Sequence, residues 1–289
     1  MFRVPSRLKI SAISFLNTAP LMWDFDHDVG ASSPLRKDFE IHYTVPSACA
    51  EALRAGTADI GIIPAITYQT IPDLVVIPDV AIGAKGPVRS ILLVSKLPLE
   101  KITTVAADTS SRTSVALLKI IFKKWWRATA EQPEFVPIDP DLKKMLKKCD
   151  AALVIGDPAL KIDPKKFDTV IDLGEEWHRH TGLPFVFAFW AVRRAGLKDH
   201  PLASDLPRIF QQSRDHGLQN VKALAREWAP RTGITEQRVT DYLTKDIDFA
   251  LGQEELKGLY AFYKLAREVG VIKEVKRTAW LGGSMGAGG

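Results

Sequence analysis

Cysteine is scarce in this chain. Only Cys49 and Cys149 occur in 289 residues. They lie far apart, with no Cys-x-x-Cys or Cys/His spacing, which excludes a zinc ribbon or a disulfide framework. Cys49 sits between alanines on an expected helix and reads as a buried free thiol. No cluster of His, Cys and carboxylates has ligand spacing, so neither a metal nor another cofactor is expected. Long apolar runs are missing as well: none reaches the ~18 residues of a membrane span. The opening Met1-Phe2-Arg3-Val4-Pro5-Ser6-Arg7 lacks the continuous apolar core of a secretory signal, so a cytoplasmic protein is expected. There is no dense basic tract with interleaved aromatics. Lys143-Lys144 and Lys147-Lys148 fall on a helix-like segment and read as a solvated face, so nucleic acid is not an expected partner. Nor is a membrane.

What remains is the composition of a soluble globular protein. The chain is 46% hydrophobic and 25% charged. Its length allows one large domain or two ordinary lobes. A net charge of +5 fits an anionic small molecule as ligand. Oligomeric state is not legible.

One stretch organises the rest: Ser14-Phe15-Leu16-Asn17-Thr18-Ala19-Pro20-Leu21. It follows Leu8 to Ile13, which alternates like a strand. A strand that breaks into a polar loop and then a helix is a common ligand site in α/β domains. Asn17 offers a donor and an acceptor with no charge to desolvate. The alternative is that it only caps the helix. Phe39 to Val45 is expected as a strand, and a loop is expected over His27 to Lys37. Pro46-Ser47 opens a helix over Ala48 to Ala55, with Ser47 as N-cap and Gly56 as stop. Asp59-Ile60-Gly61-Ile62-Ile63-Pro64 is a short buried strand. This β-loop-α-β-loop-α-β order predicts parallel strands with helical crossovers.

The middle of the chain repeats the theme. Thr103 to Ala107 is a strand, Asp108 to Ser114 a hydroxyl-rich loop, and Val115 to Trp126 an amphipathic helix. Backbone N–H groups, hydroxyls and the helix dipole there suit an anion, and Arg112 strengthens that reading. Its alternative is an over-capped helix with an exposed arginine. Asp150-Ala151-Ala152-Leu153-Val154-Ile155-Gly156-Asp157-Pro158 resembles the Asp59 to Pro64 segment, which suggests two related halves. Asp172-Leu173-Gly174, a short helix over Glu175 to His180, and the loop Thr181-Gly182-Leu183-Pro184-Phe185 follow. From Pro201 onward the pattern is helical, and it ends in a Gly-rich flexible tail. Two long strands, near Ser90 to Lys96 and Phe185 to Arg193, are expected to cross between halves. That gives two α/β lobes: 8–94 with 190–280, and 95–189, followed by a tail over 281–289. The polar loops would face the cleft between them.

Together these motifs resemble the chorismate dehydratases of the futalosine route to menaquinone, over roughly residues 8–280. The stretches that carry the resemblance are Ser14 to Leu21, Asp150 to Leu160, and Asp172-Leu173-Gly174 through Trp177 to Phe185. The spacing of Pro46-Ser47, Gly56, Asp59 and Pro64 agrees, as do Ser111 and Thr113-Ser114. A sister family, the 1,4-dihydroxy-6-naphthoate synthases, opens with a Cys-Pro-Asn-Asp type loop where this chain has Leu16-Asn17-Thr18-Ala19. The resemblance implies a fold like the type II periplasmic binding proteins, used as an enzyme. It implies loss of water from chorismate to give 3-[(1-carboxyvinyl)oxy]benzoate, with the substrate's own enolpyruvyl carboxylate as base. On that reading Asn17 and Ser90 position the reacting centre. Ser111, Arg112, Thr113 and Ser114 bind a carboxylate, and Gly156, Asp157, Thr181 and Gly182 complete the cleft, with Ser47 a weaker candidate. Asp157 is expected to serve structure more than acid catalysis, because a carboxylate beside a dianion costs affinity. A solute-binding protein for an organic anion is the competing class, since the fold is shared.

Overall fold

The computed structural model describes residues 7–27, 35–127 and 131–283. Most of the loop expected over His27 to Lys37, and residues 284–289 of the expected tail, fall outside that range. Two five-stranded sheets carry the chain. The first contains β1 (Leu8–Ile13), β2 (Phe39–Thr44), β3 (Ile60–Pro64), β4 (Leu74–Ala84) and β10 (Phe185–Arg193), in the order β2-β1-β3-β10-β4. The second contains β5 (Ile91–Ser95), β6 (Thr104–Asp108), β7 (Glu134–Ile138), β8 (Ala151–Ile155) and β9 (Thr169–Asp172), in the order β7-β6-β8-β5-β9.

Each sheet has the same plan. Three parallel strands lie side by side, and one antiparallel strand separates them from the edge. β3 and β8 hold equivalent places, and the aspartates that precede them do equivalent work. Asp59 accepts the N–H of Lys9 in β1 at 3.0 Å. Asp150 accepts the N–H of Thr103 and of Thr104, which opens β6, each at 2.9 Å, and the Thr103 hydroxyl at 2.7 Å. The repeated Asp therefore clips the start of one parallel strand to its neighbour.

The antiparallel strands β5 and β10 were expected to cross between lobes. Each instead lies wholly within one sheet: β5 in the second, β10 in the first. The chain passes between sheets in the short segments 85–90 and 182–184. Both strands are buried along nearly their whole length, because both of their faces are covered. β4 is a single edge strand. Its pairing slips beside Pro78, where a proline is tolerated at an edge irregularity.

Both passages are tightly packed. Asp172, at the end of β9, accepts four backbone N–H groups, from Val88, Arg89, Gly174 and Glu175. A Cβ on Gly174 would come within 2.6 Å of the Gly86 carbonyl oxygen. In the return passage the Pro184 carbonyl takes the Trp177 indole N–H at 3.0 Å. That carbonyl also presses so closely on Gly258 that a Cβ there would clash outright.

The C-terminal helices Leu206–Gln219 and Gln253–Glu268 complete the first lobe. Both carry apolar residues at helical spacing, and Phe210, Leu259, Phe262 and Tyr263 are buried with Trp177, Phe185, Phe189 and Trp190. Cys49 and Cys149 are free and buried, and burial pushes the Cys49 thiol up to about 11. Among the described residues no helix is long and apolar enough to cross a membrane.

Candidate active site between the lobes

The loop after β1 is not a regular helix. Leu16–Met22 is a tight 3-10 segment with Pro20 inside it, packed on the helix Leu206–Gln219. It leaves Phe15 and Asn17 facing the second lobe. The loop after β6 leads into the helix Thr113–Ile121, whose first turn points back at them. Between the two is a hollow of ≈ 50 Å³. Its polar wall is Asn17, Ser111, Thr113 and Ser114, and its apolar wall includes Phe15, Ile82, Ile91 and Phe187. Gly156 also lines it, and none of the lining side chains is ionisable.

Four polar contacts tie the lobes together around this hollow. The Leu16 N–H donates to Asp157 Oδ1 at 3.0 Å. The Ser47 N–H donates to the Ser110 carbonyl at 3.0 Å. The Ile66 N–H donates to Thr113 Oγ1 at 3.2 Å. Arg112 pairs with Glu51 at 3.0 Å. Phe15 adds an apolar contact: its ring lies where a Cβ on Gly156 would stand, at 2.9 Å. Gly156 also has φ +66°, a conformation that L side chains rarely adopt. Glycine is thus required there twice over.

Behind Asn17 lies a second layer. Ser90 is 1% exposed and sits beneath the wall rather than on it. Its Oγ accepts the Tyr242 hydroxyl at 2.8 Å. Asn17 stands near the same phenol, and Asp157 lies close enough to act on it through its charge. Burial pushes the Tyr242 phenol far above its ordinary range, so it stays protonated at any working pH. Asp157 is half-buried, and burial pushes its carboxyl up to about 6, against the opposing pull of the Leu16 N–H and Lys161.

Several expected positions turn out otherwise. Thr181 and Gly182 do not reach the hollow. They end the helix Leu173–Thr181: Gly182 is its left-handed stop, and the Thr181 hydroxyl donates to the Trp177 carbonyl at 2.8 Å. Ser47 is not an N-cap. Val45 holds that place, Pro46 is the first helical residue, and Ser47 offers its backbone N–H across the cleft. Arg112 is half-exposed, engaged with Glu51, and lines a separate outer hollow of ≈ 410 Å³ with Thr67, Asp108 and Lys119. Ser111 lines both hollows. Asp157 stands beside the central hollow without lining it. Tyr242 was not foreseen. It lies in the helical third of the chain, where an aromatic at helical spacing reads as core.

Two α/β lobes, twice linked, with a hollow between them, define a periplasmic-binding-protein-like fold. Solved structures of that fold match along nearly the whole chain. One is protein AF1704 from Archaeoglobus fulgidus, with TM-score 0.73, 16% identity, and coverage of 92% of this chain and 98% of that one. Another is the alkanesulfonate-binding protein SsuA from Xanthomonas axonopodis pv. citri bound to MOPS, with TM-score 0.66, 14% identity, and coverage of 93% and 94%. The family model described as menaquinone biosynthesis matches residues 8–268, and the chain belongs to that family. Curated relatives include a chorismate dehydratase of Thermus thermophilus, 30% identical over 241 residues, 78% of this chain and 85% of the relative. A chorismate dehydratase of Campylobacter jejuni is 37% identical over 193 residues, 65% of this chain and 67% of the relative.

Proposed function

We propose that this chain is a chorismate dehydratase, a carbon–oxygen lyase of the futalosine route to menaquinone, acting in the cytoplasm. The observation that carries the reading is the hollow itself. It is walled by a carboxamide and three hydroxyl-bearing residues, stands at a helix N-terminus, and contains no ionisable side chain. Such a wall binds an anion without supplying a base.

Chorismate suits it. The substrate is a dianion that becomes aromatic on losing water, so the driving force is its own. The C–H bond at the ring carbon bearing the enolpyruvyl ether breaks, and the proton passes to the substrate's enolpyruvyl carboxylate. The electron pair forms the new ring double bond as the neighbouring C–O bond breaks. Hydroxide departs and recovers a proton to leave as water, and 3-[(1-carboxyvinyl)oxy]benzoate remains. The protein's part is to hold the reactive conformer, which can lower a barrier by ~7–11 kcal/mol. Ser111, Thr113 and Ser114 take one carboxylate, while Asn17 faces the leaving oxygen and donates to it as charge develops.

A hollow of ≈ 50 Å³ holds a water or two, not a ring with two carboxylates. The four cross-lobe contacts therefore part to admit substrate, with 85–90 and 182–184 as hinges. The test is direct: incubate the purified protein with chorismate and follow the aromatic product by absorbance and mass. Product supports the reading. Binding without turnover would make the chain a solute-binding protein for an organic anion, and the proposal would fall.

A further inference from the structure

The outer hollow of ≈ 410 Å³ takes no part in the chemistry above, yet both lobes build it. Ile66, Val271 and Ile272 come from the first lobe, and Asp108, Arg112 and Val115 from the second. Its size suits a molecule of one ring. Its polar end is a tight turn, in which the Ser111 N–H donates to the Asp108 carbonyl at 3.1 Å, and that turn carries both Asp108 and Arg112. Asp108 is 3% exposed. Its Oδ1 accepts the Ser110 N–H at 2.8 Å and the Ser110 hydroxyl at 2.6 Å, while its Oδ2 has no partner among the described residues. The threonines around the hollow do not serve it: the Thr67, Thr70 and Thr109 hydroxyls donate to Pro64, Thr67 and Asp139. Burial pushes the Asp108 carboxyl above the usual carboxylate range, so a cation beside it would be stabilising. Arg112 gives one guanidinium nitrogen to Glu51 at 3.0 Å and keeps the rest of its fork.

We propose that this hollow binds a small zwitterion with an apolar body, an α-amino acid with an aromatic side chain, and that the bound molecule holds the lobes together. Its ammonium group answers the open edge of Asp108, where an unmet buried carboxylate oxygen is costly. The carboxylate on the same carbon meets the free part of the Arg112 fork. The ring lies against Ile66, Val115, Pro137, Val271 and Ile272. A molecule with only one of the two charges leaves one protein group unmet. Because the walls belong to different lobes, such a molecule binds the closed protein better than an opened one and shifts the population toward closure. The partition from the central hollow is thin. Ser111 lines both, and the Ile66 N–H meets Thr113 Oγ1 at 3.2 Å from one hollow's wall to the other's. The outer molecule thus braces a contact that must part for substrate to enter. Only this effect on turnover rests on the dehydratase reading above.

The experiment is calorimetric titration of the wild-type protein with L-phenylalanine, 3-phenylpropanoate and 2-phenylethylamine, which share a ring and differ in charge. L-phenylalanine is expected to bind one per chain, and each of the others at least about tenfold more weakly, since each strands one charged partner. Asp108→Asn is expected to weaken L-phenylalanine by about tenfold or more without weakening 3-phenylpropanoate. Val271→Trp fills the hollow from the first-lobe wall and is expected to abolish binding, so the inference stays testable if Asp108→Asn folds poorly. No binding of L-phenylalanine, equal affinity for all three molecules, or undiminished binding by Val271→Trp would overturn the site. With chorismate as substrate, L-phenylalanine is expected to lower kcat by about twofold or more even at saturation, because the cleft opens less often. Inhibition that saturating chorismate relieves would put the molecule in the central hollow, and unchanged turnover would show that it does not hold the lobes; either result would overturn the inference. A protein that binds L-phenylalanine as expected but makes no product from chorismate would overturn the dehydratase reading and leave the site standing.

Discussion

The backbone N–H of Leu16 and the carboxylate of Asp157 meet at 3.0 Å across the cleft, joining the loop after β1 to the turn after β8. The partner atoms belong to different lobes, so the bond exists only while the lobes are together. It is also held by a carboxyl whose ionisation burial opposes, up to about 6.

The sign of the resulting pH dependence follows. Unfolded, Asp157 releases its proton near pH 4; folded, it keeps it until about 6. Between those values the native state binds more protons, so stability falls as pH rises through the window and levels off above it. Asp157→Asn keeps an acceptor for Leu16 and removes the ionisation. The melting temperature of this variant is expected to exceed that of the wild type at pH 7.5, by a margin that shrinks to nothing near pH 4. The margin corresponds to about 3 kcal/mol at most. In turnover, wild-type KM for chorismate is expected to rise above about pH 6, where the carboxylate repels the dianion, and the variant is expected to lose that rise. A collapse of kcat instead would make Asp157 the acid that protonates the leaving hydroxyl.

Gly156 is expected to tolerate no side chain. Gly156→Ala meets two separate penalties: the left-handed backbone, roughly 1–2 kcal/mol for an L-residue, and the Phe15 ring 2.9 Å from the new methyl group. The melting temperature falls and KM rises, because the lobes no longer close fully on the hollow. Adding Phe15→Leu relieves the second penalty and not the first. KM is therefore expected to recover in the double variant while the melting temperature does not.

The aspartate clips should differ in strength. Asp150→Ala strands three donors from Thr103 and Thr104, whereas Asp59→Ala strands one, from Lys9. A charged acceptor with several partners contributes about 1.5–3 kcal/mol, and a single exposed bond less. Urea unfolding is expected to show the larger midpoint shift for Asp150→Ala, with unchanged slope.

The same aspartates show why the duplicated plan could be read from the sequence. A strand-starting Asp, small and aliphatic residues, and a turn with proline form a local pattern, and each residue serves a local purpose. The loop-to-helix junction after β6 was legible for the same reason, although the helix opens at Thr113, two residues before the expected start at Val115. The lobe passages were not. β5 and β10 are long and apolar whichever sheet they join, and only their hydrogen-bonded partners decide which. Thr181-Gly182 looked like a polar cleft loop because a helix stop uses the same residue types: a hydroxyl turned on its own backbone and a glycine at φ +69°. Tyr242 was hidden because its ring packs as core while only its hydroxyl touches the site, and that juxtaposition spans 152 residues.

The last prediction separates hydroxyls from cations in anion binding. Thr113 Oγ1 already accepts the Ile66 N–H, so its own proton is free to donate into the hollow. Ser111 stands beside it on the same wall. Arg112 lies between them in sequence, yet its guanidinium turns outward to Glu51. Calorimetric titration with 3-[(1-carboxyvinyl)oxy]benzoate is therefore expected to rank the variants against their charge. Ser111→Ala with Thr113→Ala weakens binding by about 5- to 150-fold, from two lost bonds of roughly 0.5–1.5 kcal/mol each. Arg112→Ala changes it by less than about twofold, since a half-exposed pair that faces away offers an anion little through solvent. The reverse order, with Arg112→Ala the more damaging, would move the carboxylate to the outer hollow and take the helix start Thr113–Ser114 out of the binding site.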